Sequence, residues 1–164
     1  MQSEARFGHG EAAARPIAEL LACPPAVGNL LNASSQCAEF SASERIFSQG
    51  ALCRGLYVVI SGFLLRKTER LNTRLTLGPV RAGEVVELAA VLGDGRHTYT
   101  LMAQTSGSLL VLPYESLQEA FKAHPPLRMQ LLEELAREVS RAYNVCCVTR
   151  MAGTRHRGNG ASTM

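Results

Sequence analysis

Between residues 83 and 105 the chain reads GEVVELAAVLGDGRHTYTLMAQT. Strand-like residues lead into a small-residue turn of helix over 88–92. A Gly-Asp-Gly loop follows, and a second strand-like run opens with Arg96, His97 and Thr98. A short helix between two strands, with glycines and a cation beside it, is one way to hold a small anion, because helix amides and a basic side chain converge on it. The rest of the chain adds no catalytic pattern. Five cysteines stand at 23, 37, 53, 146 and 147, an odd number with no paired C-x-x-C spacing. No His-x-His pattern marks a metal centre, so no metal ligand and no cofactor are expected.

Such a loop needs a scaffold. Residues 11–22, EAAARPIAELLA, have helix-forming composition, and Pro24-Pro25 can open a second short helix over 26–31. From Phe40 the character changes. Short apolar runs over 44–47, 56–60, 63–67, 75–77, 80–87, 98–104 and 108–112 are separated by Gln49-Gly50, Ser61-Gly62, a polar turn over 71–74, Gly78-Pro79, Ala82-Gly83 and Ser106-Gly107. Close-spaced short strands of this kind predict a jelly-roll β-barrel with flanking helices. Residues 114–123 read as an amphipathic helix with Leu117, Ala120 and Phe121 on one face, ended by His124-Pro125-Pro126. A long helix is then expected over 127–148. Its apolar positions Leu132, Leu135, Val139, Ala142 and Cys146 repeat at 3, 4, 3, 4, which is a heptad seam. Leu127 and Leu131 form a second stripe. One stripe can pack on the barrel while the other meets a partner helix. A parallel dimer is expected, since a terminal helix of about 22 residues is long for one small barrel.

The 164 residues suffice for one domain with a real core. No apolar run approaches the ~20 residues that span a membrane. Residues 1–138 hold 13 basic and 14 acidic groups, a net −1, so the whole excess of +3 arises from Arg141, Arg150, Arg155 and Arg157. Residues 149–164, rich in Gly and Arg and without apolar period, are expected to form a disordered basic tail. The cysteine usage fits reduced thiols and a cytoplasmic protein. Leu20-Leu21-Ala22-Cys23 resembles a lipoprotein cleavage site, but Glu11, Arg15, Pro16 and Glu19 precede it, so export is not expected.

In order, these elements resemble the cyclic-nucleotide-binding-like sensor domain of the Crp/Fnr transcription regulators. The likeness rests on Ile46-Phe47-Ser48-Gln49-Gly50, the run Gly55-Leu56-Tyr57-Val58-Val59-Ile60-Ser61-Gly62, Gly83-Glu84-Val85-Val86 with Leu88-Ala89-Ala90-Val91-Leu92, and the helix after Pro125; it covers residues 25–148. It implies an N-terminal segment over 1–24, a barrel over 25–126, a dimerisation helix over 127–148 and the tail. It also implies a pocket in which a Gly-Glu pair holds a ribose hydroxyl and an Arg followed by Ser or Thr clamps a phosphate. The candidate pocket residues are then Glu87, Leu88, Arg96, His97 and Thr98. Glu87 takes the carboxylate position if one residue is missing before it, and the glycine position otherwise. Thr98 fits the hydroxyl position, and the Arg position falls on His97. A histidine lacks the permanent bidentate charge of a guanidinium. Losing such a bond costs about 1.5–3 kcal/mol, or roughly tenfold to a hundredfold in affinity. With its clamp altered, the pocket is expected to have lost or changed the cyclic nucleotide that the resemblance implies.

The resemblance points to a non-catalytic sensing and dimerisation module, acting as a homodimer or as a heterodimer with a longer relative. Family regulators read DNA with a helix-turn-helix after the dimer helix. The residues after Val148 offer none, so no direct sequence-specific DNA binding is expected. A small-molecule receptor for a cyclic nucleotide or another anion is the alternative, and a truncated regulator another. A cupin-like enzyme would share the architecture.

Overall fold

The computed structural model describes residues 14–70 and 73–155, with side chains over 17–68 and 76–144. Two helices open it, α1 (Ala14–Leu20) and α2 (Pro25–Ser34). Pro25 stands in the first turn of α2, where its fixed φ costs nothing and its missing N–H is not needed. The helices cross at Gly28, where a Cβ would come within 2.7 Å of the Ala18 Cβ. Ile17, Leu21, Val27 and Leu31 are buried beneath them.

Eight strands follow among the described residues: β1 (Gln36–Phe40), β2 (Arg45–Phe47), β3 (Gly55–Ser61), β4 (Phe63–Arg70), β5 (Thr73–Arg81), β6 (Val85–Val86), β7 (Thr100–Ala103) and β8 (Gly107–Pro113). A five-residue helix, α3 (Leu88–Leu92), lies between β6 and β7. The strands form two four-stranded sheets, in the orders β1-β8-β3-β6 and β2-β7-β4-β5, with antiparallel pairing throughout. This is the expected jelly roll. Its interior is filled from both sheets by Leu56, Leu64, Val80, Val86, Leu101, Leu109 and Leu112, each at most 2% exposed. Burying one such side chain is worth about 1.5–3 kcal/mol.

Two strands depart from expectation. β1 begins before Phe40, where the apolar signal was expected to start. Of its five residues only Phe40 is buried, so backbone pairing with β8 makes this strand without an apolar pattern. β5 runs through Gly78-Pro79, where a break was expected. It is the edge strand of its sheet, so the N–H that Pro79 lacks is not required. Gly78, at φ +128°, takes up a register shift opposite Arg66 and Lys67. The expected turn residues Leu71 and Asn72 lie outside the described residues.

The barrel is followed by α4 (Tyr114–Ala123) and α5 (Pro126–Arg155). Leu117, Ala120 and Phe121 of α4 are buried, as their spacing predicts. Leu127 and Leu131 of α5 are also buried, and Leu135 packs against the same core. α5 continues past Val148 to Arg155, so 149–155 of the expected tail are helical. Residues 156–164 and 1–13 lie outside the described residues. Among the described residues no helix is long and apolar enough to cross a membrane.

Candidate functional site

The lower side of α5 and the barrel wall enclose a cleft of about 870 Å³. On the barrel side it is lined by Arg66, Glu84, Glu87, Leu88, Ala89 and Thr98. On the helix side it is lined by Gln130, Leu131, Glu134, Leu135, Glu138 and Ala142.

Of the five expected pocket residues, Glu87, Leu88 and Thr98 reach this cleft, and Arg96 and His97 do not. The loops explain why. The N–H of Gly50 donates to the His97 carbonyl at 2.8 Å, the His97 N–H to Ala51 O at 2.9 Å, and the Cys53 N–H to Gly95 O at 2.7 Å. The segment after α3 is thereby zipped to the loop between β2 and β3. Along it His97 and Tyr99 are buried and Thr98 is exposed, the alternation of an extended chain. Arg96 is exposed and its guanidinium donates to the Gly50 carbonyl at 3.0 Å. It braces the loop and is not aimed at the cleft.

His97 goes inward. Its ring stacks on Phe47 with centroids 3.8 Å apart and planes 6° from parallel. Its Nδ1 lies 3.0 Å from Oε2 of Glu87, yet the two are not aligned for a hydrogen bond. Glu87 is 2% exposed. Burial pushes its carboxyl up to about 7, opposed by the nearby Tyr99 hydroxyl and reinforced by the Glu138 carboxylate. Burial pushes His97 down. Both therefore move toward their neutral forms, because the interior disfavours charge on either. Glu87 also holds a left-handed backbone, φ +80°, before α3. Glycine adopts that conformation freely and a side chain does not.

Arg66 on β4 is the barrel-side cleft cation that reading along the chain passed over; Arg137 and Arg141 of α5 also line the cleft. Its guanidinium lies 5.6 Å above the Tyr99 ring and 3.4 Å from the Glu138 carboxylate. Its Nε is buried without a partner. The signal was present in the alternation: Leu64 is fully buried, and Arg66, two residues on, shares its face. A charged residue at an inward strand position asks for a reason.

The expected heptad seam divides. Leu135 and Ala142 line the cleft, and Val139 at its rim is 59% exposed. Leu132 is half-buried, and the Cys146 side chain lies outside the described residues.

A family model described as the cyclic nucleotide-binding domain matches residues 37–124. The chain belongs to that family. No curated protein matches it. Among solved structures, the cyclic nucleotide-binding domain is similar to the Thermus thermophilus catabolite activator protein at 24% identity and TM-score 0.69, covering 82% of this chain and 63% of that one. It is similar to the sensor domain of the Pseudomonas aeruginosa transcriptional regulator DNR at 20% identity and TM-score 0.66, covering 76% and 91%. It also matches the regulatory domain of Toxoplasma gondii PKA solved with cAMP, at 20% identity and TM-score 0.61, covering 73% and 46%. The domain thus has the fold of transcription-regulator sensor domains, and it spans less than two thirds of the activator and kinase-regulatory chains.

Proposed function

We propose that this domain is a non-catalytic sensor of a Crp/Fnr-type regulator, with a small anionic effector bound between barrel and α5. The observation that carries this reading is the cleft itself, walled by Arg66, Leu88 and Thr98 on one side and by α5 on the other. An occupant there touches both bodies and biases the position of the helix. The cAMP in the Toxoplasma structure and the family's description support an effector of the cyclic nucleotide class.

The family contacts are altered. The left-handed backbone at Glu87 supports placing it where relatives carry glycine, with Leu88 where they carry the ribose carboxylate. Leu88 offers no acceptor. His97, in the phosphate-clamp position, is buried behind Glu87. Arg66 is the barrel-wall guanidinium that can meet an anion instead, opposite Arg137 and Arg141 of α5. Cyclic AMP is therefore bound weakly or replaced by a related anion. Calorimetry with cyclic AMP, cyclic GMP and other phosphate-bearing nucleotides tests this, and silence across the whole panel would sink the sensor reading.

The same proposal makes α5 a dimer helix, with a seam one step round from the expected one. Met129, Val139 and Tyr143 are 59%, 59% and 69% exposed. With Leu132 and Ala136 they repeat at 3, 4, 3, 4, the heptad spacing of a two-helix contact.

A further inference from the structure

Three side chains that share no sequence motif meet behind the cleft wall. Cys53 comes from the loop before β3, Glu87 from the end of β6, and His97 from the segment after α3. A sulfur, a carboxylate oxygen and an imidazole nitrogen, one from each, lie within 4.8 Å of one another. The residues are 8%, 2% and 3% exposed. No hydrogen bond of good geometry reaches either Glu87 oxygen or His97 Nδ1, although the Tyr99 hydroxyl is close enough to act on the carboxyl. Buried polar atoms are rarely left so, and an ion would take a lone pair from His97 Nδ1 and from one Glu87 oxygen.

We propose that Cys53, Glu87 and His97 bind one divalent transition-metal ion of the zinc class. A thiolate, an imidazole and a carboxylate are the ligand types that such ions take, whereas magnesium and calcium ask for six or more oxygens. Bonds of about 2.0–2.3 Å to a tetrahedral ion set ligand–ligand edges of roughly 3.3–3.6 Å. The His97–Glu87 pair, at 3.0 Å, is already near that edge. The Cys53 sulfur closes the remaining distance by leaving the Gly55 carbonyl, to which it now donates at 3.1 Å. Its S–H proton, and the carboxyl proton of Glu87 where that group is protonated, pass to solvent as the metal–ligand bonds form. Thiolate and carboxylate then neutralise the two charges of the ion, so the buried site carries no net charge. Stacking on Phe47 holds the imidazole plane. Three protein ligands leave one tetrahedral position for water or an effector atom. The ion would join the loop before β3 to both ends of the α3 segment and so stiffen the cleft wall.

The test uses the whole chain, freed of metal and titrated with Co²⁺, with zinc affinity read by competition against a chromophoric chelator. The expected result is one equivalent of cobalt with a thiolate-to-metal charge-transfer band. Cys53→Ala removes the band. Glu87→Gln and His97→Gln weaken zinc binding by at least about tenfold. Cys37→Ser, at an exposed position, leaves both readouts unchanged. A second readout needs no variant: in mild urea, zinc slows alkylation of Cys53 in the wild-type protein, followed by peptide mass spectrometry. A wild-type chain without the band, a band that survives Cys53→Ala, or Cys53 alkylated equally fast with and without zinc overturns the proposal.

Discussion

Arg66 lets effector binding be separated from folding at the level of one side chain. Its stem covers the Tyr99 ring while its head meets Glu138 at the cleft. Arg66→Met keeps an apolar stem and removes the charge. Anionic effector affinity is expected to fall by roughly tenfold to a hundredfold, the worth of one charge-assisted bond of about 1.5–3 kcal/mol. Calorimetry reads this directly. Arg96→Ala is the contrasting variant. Its guanidinium serves the Gly50 carbonyl at the surface, so effector affinity should stay within error of wild type. Loss of affinity in Arg96→Ala with none in Arg66→Met would mean that the anion site lies at the loop.

At the level of elements, α5 has two apolar stripes with different duties. Leu131 is 5% exposed and packs on the core, so Leu131→Ala should cost about 2–5 kcal/mol in urea unfolding. Val139→Glu with Tyr143→Glu should leave that stability nearly unchanged and convert the proposed dimer to a monomer in light scattering. If Leu135→Glu alone abolishes the dimer without destabilising the fold, the seam is the one first read from the spacing. The same helix carries two carboxylates with opposite pH signatures. Glu134 is held below the ordinary range by its hydrogen bond to Arg137. Its contribution is present above that range and is lost as pH falls through its lowered value. Burial raises Glu138 despite Arg66. Its contribution is full below the ordinary value of 4.5 and is lost as pH rises through the raised one. Unfolding midpoints of Glu138→Gln between pH 4.5 and 7.5 should therefore fall less with rising pH than those of wild type.

For the whole molecule, the cleft matters because two bodies close it. An effector that binds the folded chain alone adds about 2.7 kcal/mol of stability at a hundred times its Kd. If it also bridges barrel and α5, amides near Gln130 and Glu138 should exchange more slowly when it is bound, with little change in α2 and β1, which do not line the cleft. Slowing spread evenly over the chain would indicate stabilisation without that bridge.

The order of elements was legible in the chain because local physics writes it. Glycines and prolines punctuate the strands, Leu117, Ala120 and Phe121 trace one face of α4, and the small-residue turn at α3 stands where it was expected. β1 was not legible, since exposed residues paired only through backbone leave no apolar pattern. β5 was misread at Pro79 because edge position, which excuses a missing N–H, is a property of the sheet. The site divides in the same way. Glu87, Leu88 and Thr98 could be named from residue type and neighbourhood, and they reach the cleft. That His97 turns inward and Arg96 outward depends on how the loop at 50–53 grips the segment after α3. Sequence by itself determined the jelly roll and the long terminal helix, through periodicities that act over a few residues. Tertiary structure alone decided that Arg66 faces the cleft beside Glu138, and that Cys53, Glu87 and His97 share one buried point. Those meetings join positions far apart in the chain, and only the packing of the two sheets and α5 sets their distances.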